Sequence, residues 1–290
     1  MPPRPTPPSG LPGRRPVPED SNVEAWDAIA ESYQRDHLIS LEDIHYGPLC
    51  PGEKELQLLG DIEGKHILDV GCGGGQNTFV LAKWGARVVA LDPSRAQLAY
   101  ARKICQELRD RIDFIQGRAK ELTAFRKETF DIVFSSLSLD FVENVGEFFR
   151  QVRRVLRPQG LLVFSVIHPF MNCVGWYLMS DRDAPEVENY YEMRGVRHSF
   201  WDFEDGTRGR LYHFRHTLEE LFTLVVEQGF RITALREPRP YDLELLGKDN
   251  WDKIPYGYRD FDMRSMFFQV MQTLPYTLVI QAVKEEGERE

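Results

Sequence analysis

Residues 65–75 have the sequence KHILDVGCGGG, in which a short apolar run leads directly into a glycine-rich turn. The apolar run predicts a buried strand, and residues 78–84 after the glycines predict a helix. Glycines at such a turn let the chain reverse sharply and let a ligand approach the backbone with no Cβ in the way. This stretch therefore predicts a strand–turn–helix unit of an α/β domain, with a ligand at the turn.

The alternation of strand and helix continues on the C-terminal side of this turn. Further strand-like runs lie at 86–92, 112–116, 130–135, 161–167, 230–238 and 275–284, and helix-like segments lie at 94–108, 145–156 and 218–228. Strands joined through helices make right-handed crossovers and form a parallel sheet that is covered on both faces. The predicted fold class is therefore α/β, with a doubly wound, mostly parallel sheet.

The glycine spacing distinguishes between classes of nucleotide ligand. A dinucleotide site with the pattern GxGxxG would need glycine at position 76, where this chain has Gln76, and no Gly-Lys-Ser or Gly-Lys-Thr follows, which excludes a P-loop. Asp92 ends the second strand, about twenty residues after the loop, where a carboxylate can accept both hydroxyls of a ribose. These features together predict an adenosine ligand without a diphosphate.

Composition and charge limit the kinds of partner and site that the chain is expected to have. Its 290 residues carry a net charge of -9, with a pI near 5.4, and this acidic balance argues against a nucleic-acid partner. The four cysteines form no CxxC pair, which predicts free thiols in a reducing cytoplasm and neither a disulfide framework nor a metal site. No apolar run of ~18 residues predicts a membrane span, and the N-terminus lacks the apolar core of a signal peptide.

The predicted organisation is one domain with additions. Residues 1–20 are dominated by Pro, Arg and Gly and predict a disordered tail, because such a segment buries little apolar surface. The domain spans 21–290 and begins with helices in 21–60. Two irregular, aromatic-rich insertions at 168–213 and 239–274 predict a lid over the site, on which two copies of the chain could pair as a homo-oligomer.

Four motifs in order resemble those of class I S-adenosylmethionine-dependent methyltransferases. They are LDVGCGGG (68–75), ALDPS (90–94), FDIVFSSLSLDFV (130–142) and LRPQGLLVFS (156–165). The resemblance covers about residues 64–167 and extends through the last two strands, where that family adds an antiparallel hairpin to the sheet edge. It implies a seven-stranded Rossmann-like sheet, S-adenosylmethionine as cofactor, and methyl transfer.

The resemblance also implies roles for residues of the loop and the second strand. Gly71 and Gly73 would let the backbone wrap the methionine part of the cofactor, and Asp69 would orient its ammonium group. Asp92 would hold the ribose hydroxyls, and Pro93 would lie against the adenine ring.

Further positions are implied around the adenine and at the strand ends. Arg118 and Ala119 would flank the adenine edge; many relatives have Asp at the first of these positions, so recognition here would rest on the Ala119 backbone. Ser135 and Leu137 follow the fourth strand, where backbone carbonyls meet the methionine ammonium. Gln76 and Asn77 would add contacts at the helix start.

Methyl transfer is an in-line displacement, and an oxygen acceptor also needs a general base. The candidate bases are Asp140, His168 and His45, which lie in segments expected at the strand ends or in the N-terminal region. His213 and Glu237 remain alternatives. Asp140 would need a raised pKa to act in this way.

The aromatic residues of the predicted lid suggest the acceptor. The residues expected to bind it are Tyr33, Tyr46, Phe170, Trp176, Trp201 and Tyr212. Aromatic walls suit a small apolar or aromatic acceptor and stabilise a sulfonium cation, although the same residues could form a second core. Two other functions stay open: RNA or protein methylation, which needs a positive surface beside the pocket, and a cofactor-binding regulator with no acceptor cavity.

Overall fold

The structure is a computed structural model that describes residues 20–178, 189–191, 195–258 and 263–286. The helices are α1 (Ser21–Asp36), α2 (Glu53–Leu56), α3 (Gln76–Lys83), α4 (Arg95–Ile104), α5 (Val145–Val155), α6 (Pro169–Leu178), α7 (Leu218–Glu227), α8 (Leu243–Leu246) and α9 (Met266–Thr273). The strands are β1 (His37–Ile39), β2 (His66–Val70), β3 (Arg87–Asp92), β4 (Ile112–Gln116), β5 (Phe130–Ser136), β6 (Leu156–Ile167), β7 (Gly195–Asp202), β8 (Arg208–Arg215), β9 (Phe230–Arg236), β10 (Tyr256–Tyr258) and β11 (Thr277–Lys284). Short 3₁₀ helices include Leu139–Phe141. The tail predicted to be disordered lies outside the described residues, apart from Asp20.

Seven strands form the central sheet in the order β4-β3-β2-β5-β6-β11-β9. The strands from β4 to β6 are parallel, and β11 runs antiparallel between β6 and β9. This confirms the predicted doubly wound sheet and its antiparallel addition. The strand order reverses between β2 and β5, and in such sheets a crevice opens beyond the carboxyl ends of the strands at that point.

Apolar layers cover both faces of the sheet. Ile67 of β2 packs on one face with Phe79 of α3 and Leu98 of α4, whereas Leu68 packs on the other face with Phe148 of α5. Because both faces are buried at the centre of the sheet, the central strands such as β2 and β5 are mostly apolar runs and not alternating ones. The rigid sheet fixes where each strand ends, and those ends carry the loops of the site.

Helix α1 is attached to the rest of the molecule by a side chain near its start. Asp20 occupies the N-cap position, and neither it nor Asn22, a residue type that often caps helices, forms a side-chain cap. The Asn22 amide instead donates to the Tyr212 carbonyl at 2.9 Å and accepts from the Tyr212 N–H at 2.8 Å. These long-range bonds attach α1 to β8 and compete successfully with local capping.

Two small antiparallel sheets lie in the segments predicted to be irregular or helical. Strands β7 and β8 form a hairpin, and β1 pairs with β10, placing His37 opposite Tyr258. In β8, exposed Arg208 and Arg210 alternate with buried Gly209 and Leu211. This alternation of charged and uncharged residues is the pattern in the sequence that could have predicted a strand here. No helix in the described ranges is long and apolar enough to cross a membrane.

Candidate active site

A cavity of about 810 Å³ opens at the carboxyl ends of β2, β3 and β5. Its volume lies within the usual range for small-molecule sites. One end, called the loop end, is lined by residues of the glycine loop, Asp92, Pro93 and residues 117–120. The other end, called the aromatic end, is lined by Trp26, Tyr33, His37, Trp201, Tyr256 and Tyr258. One continuous space therefore joins the predicted cofactor loop to a set of aromatic side chains.

The glycines of the loop have distinct structural roles. Both Gly71 and Gly73 have positive φ, at 72° and 52°. A Cβ built on Gly71 would lie 2.2 Å from the Cβ of Ser138, so this glycine permits close packing between the loop and the segment after β5. A Cβ on Gly73 would meet no protein atom within 4 Å, and Gly73 lines the cavity. Gly73 thus leaves room for a ligand.

Asp92 and Asp69 place two buried carboxylates beside the loop. Asp92 accepts the Gly73 N–H at 2.8 Å through Oδ2 and the Ser94 N–H at 2.9 Å through Oδ1, while Asp69 accepts the Thr78 hydroxyl at 2.6 Å. Burial raises the pKa of Asp92 to about 6 and that of Asp69 to about 7. Neither forms an ion pair with a described residue. Both therefore favour a ligand that brings hydroxyl groups or positive charge, which fits S-adenosylmethionine.

The loop end also contains most of the other residues predicted to bind the cofactor. Those lining the cavity are Gln76, Asn77, Pro93, Arg118, Ala119 and Leu137. Asn77 additionally bonds both backbone groups of His45, at 2.9 and 3.1 Å, and so holds that segment in the wall. Arg118 pairs with Asp20. Ser135 is fully buried behind the wall, where it bonds the Ser138 hydroxyl at 2.6 Å, and its neighbour Ser136 lines the cavity instead.

Helix α1 bridges the two ends of the cavity. Asp27 accepts the Ser94 hydroxyl at 2.6 Å and the Ala96 N–H at 3.0 Å. Gln34 accepts from Gln76 at 2.5 Å and donates to Gln97 at 2.9 Å. The same helix supplies Trp26 and Tyr33 to the aromatic end. The position of these two rings therefore depends on the contacts of α1 with the helices that follow the loop.

Asp140 lies two residues after Ser138, the residue that packs against Gly71 of the loop. The Ser138 hydroxyl donates to the Val70 carbonyl at 3.1 Å, which holds this segment against the residue before Gly71. Asp140 lines the cavity, and its Oδ2 accepts the Ile167 N–H at 3.2 Å. Burial raises the pKa of Asp140 to about 7. A raised pKa is what Asp140 was expected to need in order to act as a general base.

His45 also lines the cavity, with its ring edge-on to Tyr256 at a centroid distance of 5.0 Å. Its Nδ1 lies 3.5 Å from the Ser136 hydroxyl. Burial lowers the pKa of His45 to about 3, so the imidazole is neutral at physiological pH. His45 remains a second candidate for the base.

His168 does not lie in the cavity, which corrects the prediction made from its position after β6. Its side chain is fully buried, with Nε2 2.8 Å from Glu237 Oε1, and its Nδ1 accepts the Phe170 N–H at 3.1 Å. Both ring nitrogens are thus used in structural contacts. Glu237, the other alternative on this pair, is likewise absent from the wall, whereas His213 lines it.

Some of the residues predicted to bind the acceptor line the cavity, and others lie outside it. Tyr33 and Trp201 line the aromatic end. Tyr46 is fully buried in the core beneath the site and donates to Glu53 at 2.5 Å, and Phe170 is 49% exposed outside the cavity. Tyr212 also lies outside the wall, with its backbone bonded to Asn22. The side chain of Trp176 lies outside the described residues. The predictions for Tyr46, Phe170 and Tyr212 are therefore corrected.

Sequence reasoning missed His37, Tyr256 and Tyr258. The His37 ring stacks on Tyr33 at 4.0 Å, and its Nδ1 donates to the Tyr33 carbonyl at 2.8 Å, which leaves the lone pair on Nε2. Burial lowers the pKa of His37 and favours this neutral form. The i, i+4 spacing of Tyr33 and His37 was a local signal, but nothing local pointed to the tyrosines of β10, which reach the site by pairing with β1.

Acidic side chains outnumber basic ones along the wall. Among the described residues the carboxylates that line it are Asp36, Asp69, Asp92, Asp140, Glu143 and Asp202, and the cationic side chains are Arg118 and Lys120. Both cations lie at the loop end. In the part of the chain that is described, no group of three or more His, Cys, Asp or Glu could hold a metal ion.

Comparison with known proteins agrees with this geometry. Residues 68–164 match the family model described as a methyltransferase domain. A ubiquinone biosynthesis O-methyltransferase of Azorhizobium caulinodans is 36% identical over 146 residues, which is 50% of this chain and 53% of that protein. The match thus spans about half the length of this curated relative.

Solved structures share the fold over a larger part of the chain. An S-adenosylmethionine-dependent methyltransferase structure from Listeria monocytogenes, described as putative in its own name, superposes with a TM-score of 0.58 and 22% identity, covering 79% of this chain and 95% of the other. The cyclase SpnF superposes with a TM-score of 0.58 and 16% identity over 94% and 99% of the two chains. At these identities the likeness concerns the fold, and the reaction has to be argued from the site.

Proposed function

We propose that this chain is a class I S-adenosylmethionine-dependent methyltransferase and that it transfers a methyl group to a hydroxyl of a small apolar or aromatic acceptor. The observation that carries the proposal is the single cavity that runs from the glycine loop to the aromatic end. A donor bound at the loop and an acceptor bound among the rings would share one continuous space. That arrangement can align the reacting atoms, which is the main requirement of an in-line displacement.

At the loop end, this chain's residues suit the parts of the cofactor. Asp92 has carboxylate oxygens for the ribose hydroxyls, and Asp69 has a buried negative charge for the ammonium group. Gly73 leaves space for the methionine part. When bound, S-adenosylmethionine supplies an electrophilic methyl on a positively charged sulfur.

Asp140 serves as the general base in this proposal. S-adenosylmethionine held at the loop end would supply the methyl group and leave as the neutral thioether, and Asp140 would accept the proton that the acceptor hydroxyl loses. A pKa of about 7 is suited to this role at neutral pH, because the carboxylate is populated and still binds a proton well. The name of the O-methyltransferase relative supports an oxygen acceptor.

The aromatic end suits a flat, uncharged acceptor. Tyr33, His37 and Trp201 are nearly parallel, with interplanar angles of 27° between Tyr33 and each of the other two rings. A planar acceptor can stack against such rings. The acidic wall argues against an RNA substrate, whose phosphates need cations. The space beyond the loop argues against a regulator that only binds the cofactor.

The experiment pairs calorimetry of S-adenosylhomocysteine binding with transfer of a radiolabelled methyl group to a panel of hydroxyaromatic compounds. Asp92→Ala should weaken binding about 100-fold or more, since two buried hydrogen bonds to ligand hydroxyls are lost, and each charge-assisted bond contributes about 1.5–3 kcal/mol. Asp113→Ala, an exposed aspartate on the adjacent strand β4, is the matched control.

Unchanged affinity in Asp92→Ala would remove the ribose assignment. Intact cofactor binding in the wild type without label transfer to any member of the panel would contradict the proposed acceptor class. Transfer to an RNA or protein substrate in the same assay would favour the other enzymatic function.

A further inference from the structure

Asp140 separates the main cavity from a second, much smaller void. The void has a volume of about 10 Å³ and is lined by Asp140, Asn172 and His216 together with apolar side chains. Asp140, Ile167 and Asn172 line both spaces. The carboxyl group that lines the acceptor cavity therefore also borders a separate space.

His216 lines this void but not the main cavity. Both of its ring nitrogens are shielded from solvent, and neither has a hydrogen-bond partner in the described residues. Its Nδ1 lies 3.6 Å from Glu220 Oε2, and the Glu220 side chain is 30% exposed. Since buried polar atoms normally have partners, the unfilled hydrogen-bonding capacity of His216 indicates a further group in the void.

We propose that one water molecule in this void connects Asp140 to His216, and that His216 passes the proton of the methylation reaction to Glu220 and bulk solvent. The void is about the size of one water, and three polar side chains are available to hold it. This inference rests on the proposed function, because it starts from Asp140 as the base.

The proton balance is complete along this path. The acceptor hydroxyl gives its proton to Asp140, Asp140 gives a proton to the water, and the water gives one to Nε2 of His216. The proton on Nδ1 leaves to Glu220 and then to solvent, so each group returns to its starting state after the ring exchanges its proton. The route is useful because it leads the proton out without passing through the main cavity, where donor and acceptor would bind.

Other charged or titratable groups face this path. His216 and Arg215, the residue before it in the chain, both favour the charged form of Asp140, and Tyr276 also interacts electrostatically with that carboxyl group. The hydrogen bond from the Ile167 N–H also favours the charged form. Asp140 is thus able both to accept a proton and to release it.

The test compares His216→Gln with the wild type. Glutamine can still bond the water but cannot carry a proton through the ring. We expect kcat to fall about tenfold and the solvent isotope effect on kcat to rise, while the acceptor KM and the affinity for S-adenosylhomocysteine stay unchanged. His198→Gln, an exposed histidine on β7, is the matched control.

Glu220→Gln is a second variant that keeps the fold intact. Glu220 completes the capping box of α7 with Thr217, and glutamine can serve in the same box. We expect the same loss of kcat in this variant. Wild-type kcat and isotope effect in both variants would overturn the relay and leave the proposed methyl transfer standing.

A high-resolution crystal structure decides the matter independently of turnover. It should show a water within hydrogen-bond distance of both Asp140 and His216. A dry void, or one filled by a side chain, would overturn the inference. A wild type that transfers no methyl group, in contrast, would remove the proposed function itself.

Discussion

Replacing Asp140 with Asn should stabilise the protein without ligand while reducing its activity. The substitution keeps an oxygen that can accept the Ile167 N–H, and it removes a buried charge. Burial raises the pKa of Asp140 from its ordinary value of 3.8 to about 7. In the unfolded chain this carboxyl ionises near pH 4, whereas in the folded protein it holds its proton up to about pH 7.

The sign follows from this difference. The contribution of Asp140 to stability falls as pH rises from 4 to 7, because the unfolded state releases its proton first, and the full loss is present above pH 7. A shift of about three pKa units corresponds to ~4 kcal/mol. Asp140→Asn should therefore match the wild type at pH 4 and exceed it by up to ~4 kcal/mol at pH 8.

Urea unfolding followed by circular dichroism between pH 4 and 8 measures the free energy of unfolding of the wild type and of Asp140→Asn as a function of pH. Asp113→Asn, on the exposed side of β4, is the control and should show a much smaller change with pH. A stability difference that does not grow with pH, or a wild type that is the more stable protein at pH 8, would refute the reasoning. Turnover of Asp140→Asn should fall in the same preparation.

Two further predictions concern the loop end. Gly73→Ala should abolish most cofactor binding, because its Cβ enters open space that a ligand would fill. Its positive φ should also make the substitution cost roughly 1–2 kcal/mol of stability. Gly60→Ala, with a similar φ of 67° and open surroundings, should cost the same stability and bind the cofactor normally. Equal binding by the two variants, measured by calorimetry, would contradict this role. The affinities for S-adenosylmethionine and for S-adenosylhomocysteine should both rise between pH 5 and 8, as Asp92 and Asp69 lose their protons, because both ligands carry the ammonium group and the ribose hydroxyls. A flat pH profile for both ligands would be evidence against charge pairing.

The loop end could be predicted from sequence because its information is local. The strand, the turn and the helix around Gly71–Gly75 are contiguous, and Asp92 follows at a spacing set by one helix and one strand. A glycine pattern therefore predicts both the backbone conformation and the side of the sheet on which the ligand lies. Asp140 was found for the same reason, since it follows the end of β5 in the chain.

The aromatic end could not be predicted in the same way. His37 and Tyr258 face each other only because β1 pairs with β10, more than two hundred residues later in the chain. Tyr46 and Tyr33 looked alike in the sequence, yet one is in the core and the other in the wall, because burial depends on which element packs above each. His168 follows a strand end as expected, but its ring bonds Glu237, which follows β9, and does not line the cavity.

Helix α1 makes the two ends of the cavity thermodynamically dependent on each other. Gln34 bonds the helices that follow the loop, and Tyr33, the preceding residue, stacks in the wall of the aromatic end. Any ligand that favours the docked position of this helix lowers the free energy of the state that the other ligand binds. Such cooperativity is reciprocal, so an acceptor that tightens cofactor binding by some factor is itself bound more tightly by the same factor.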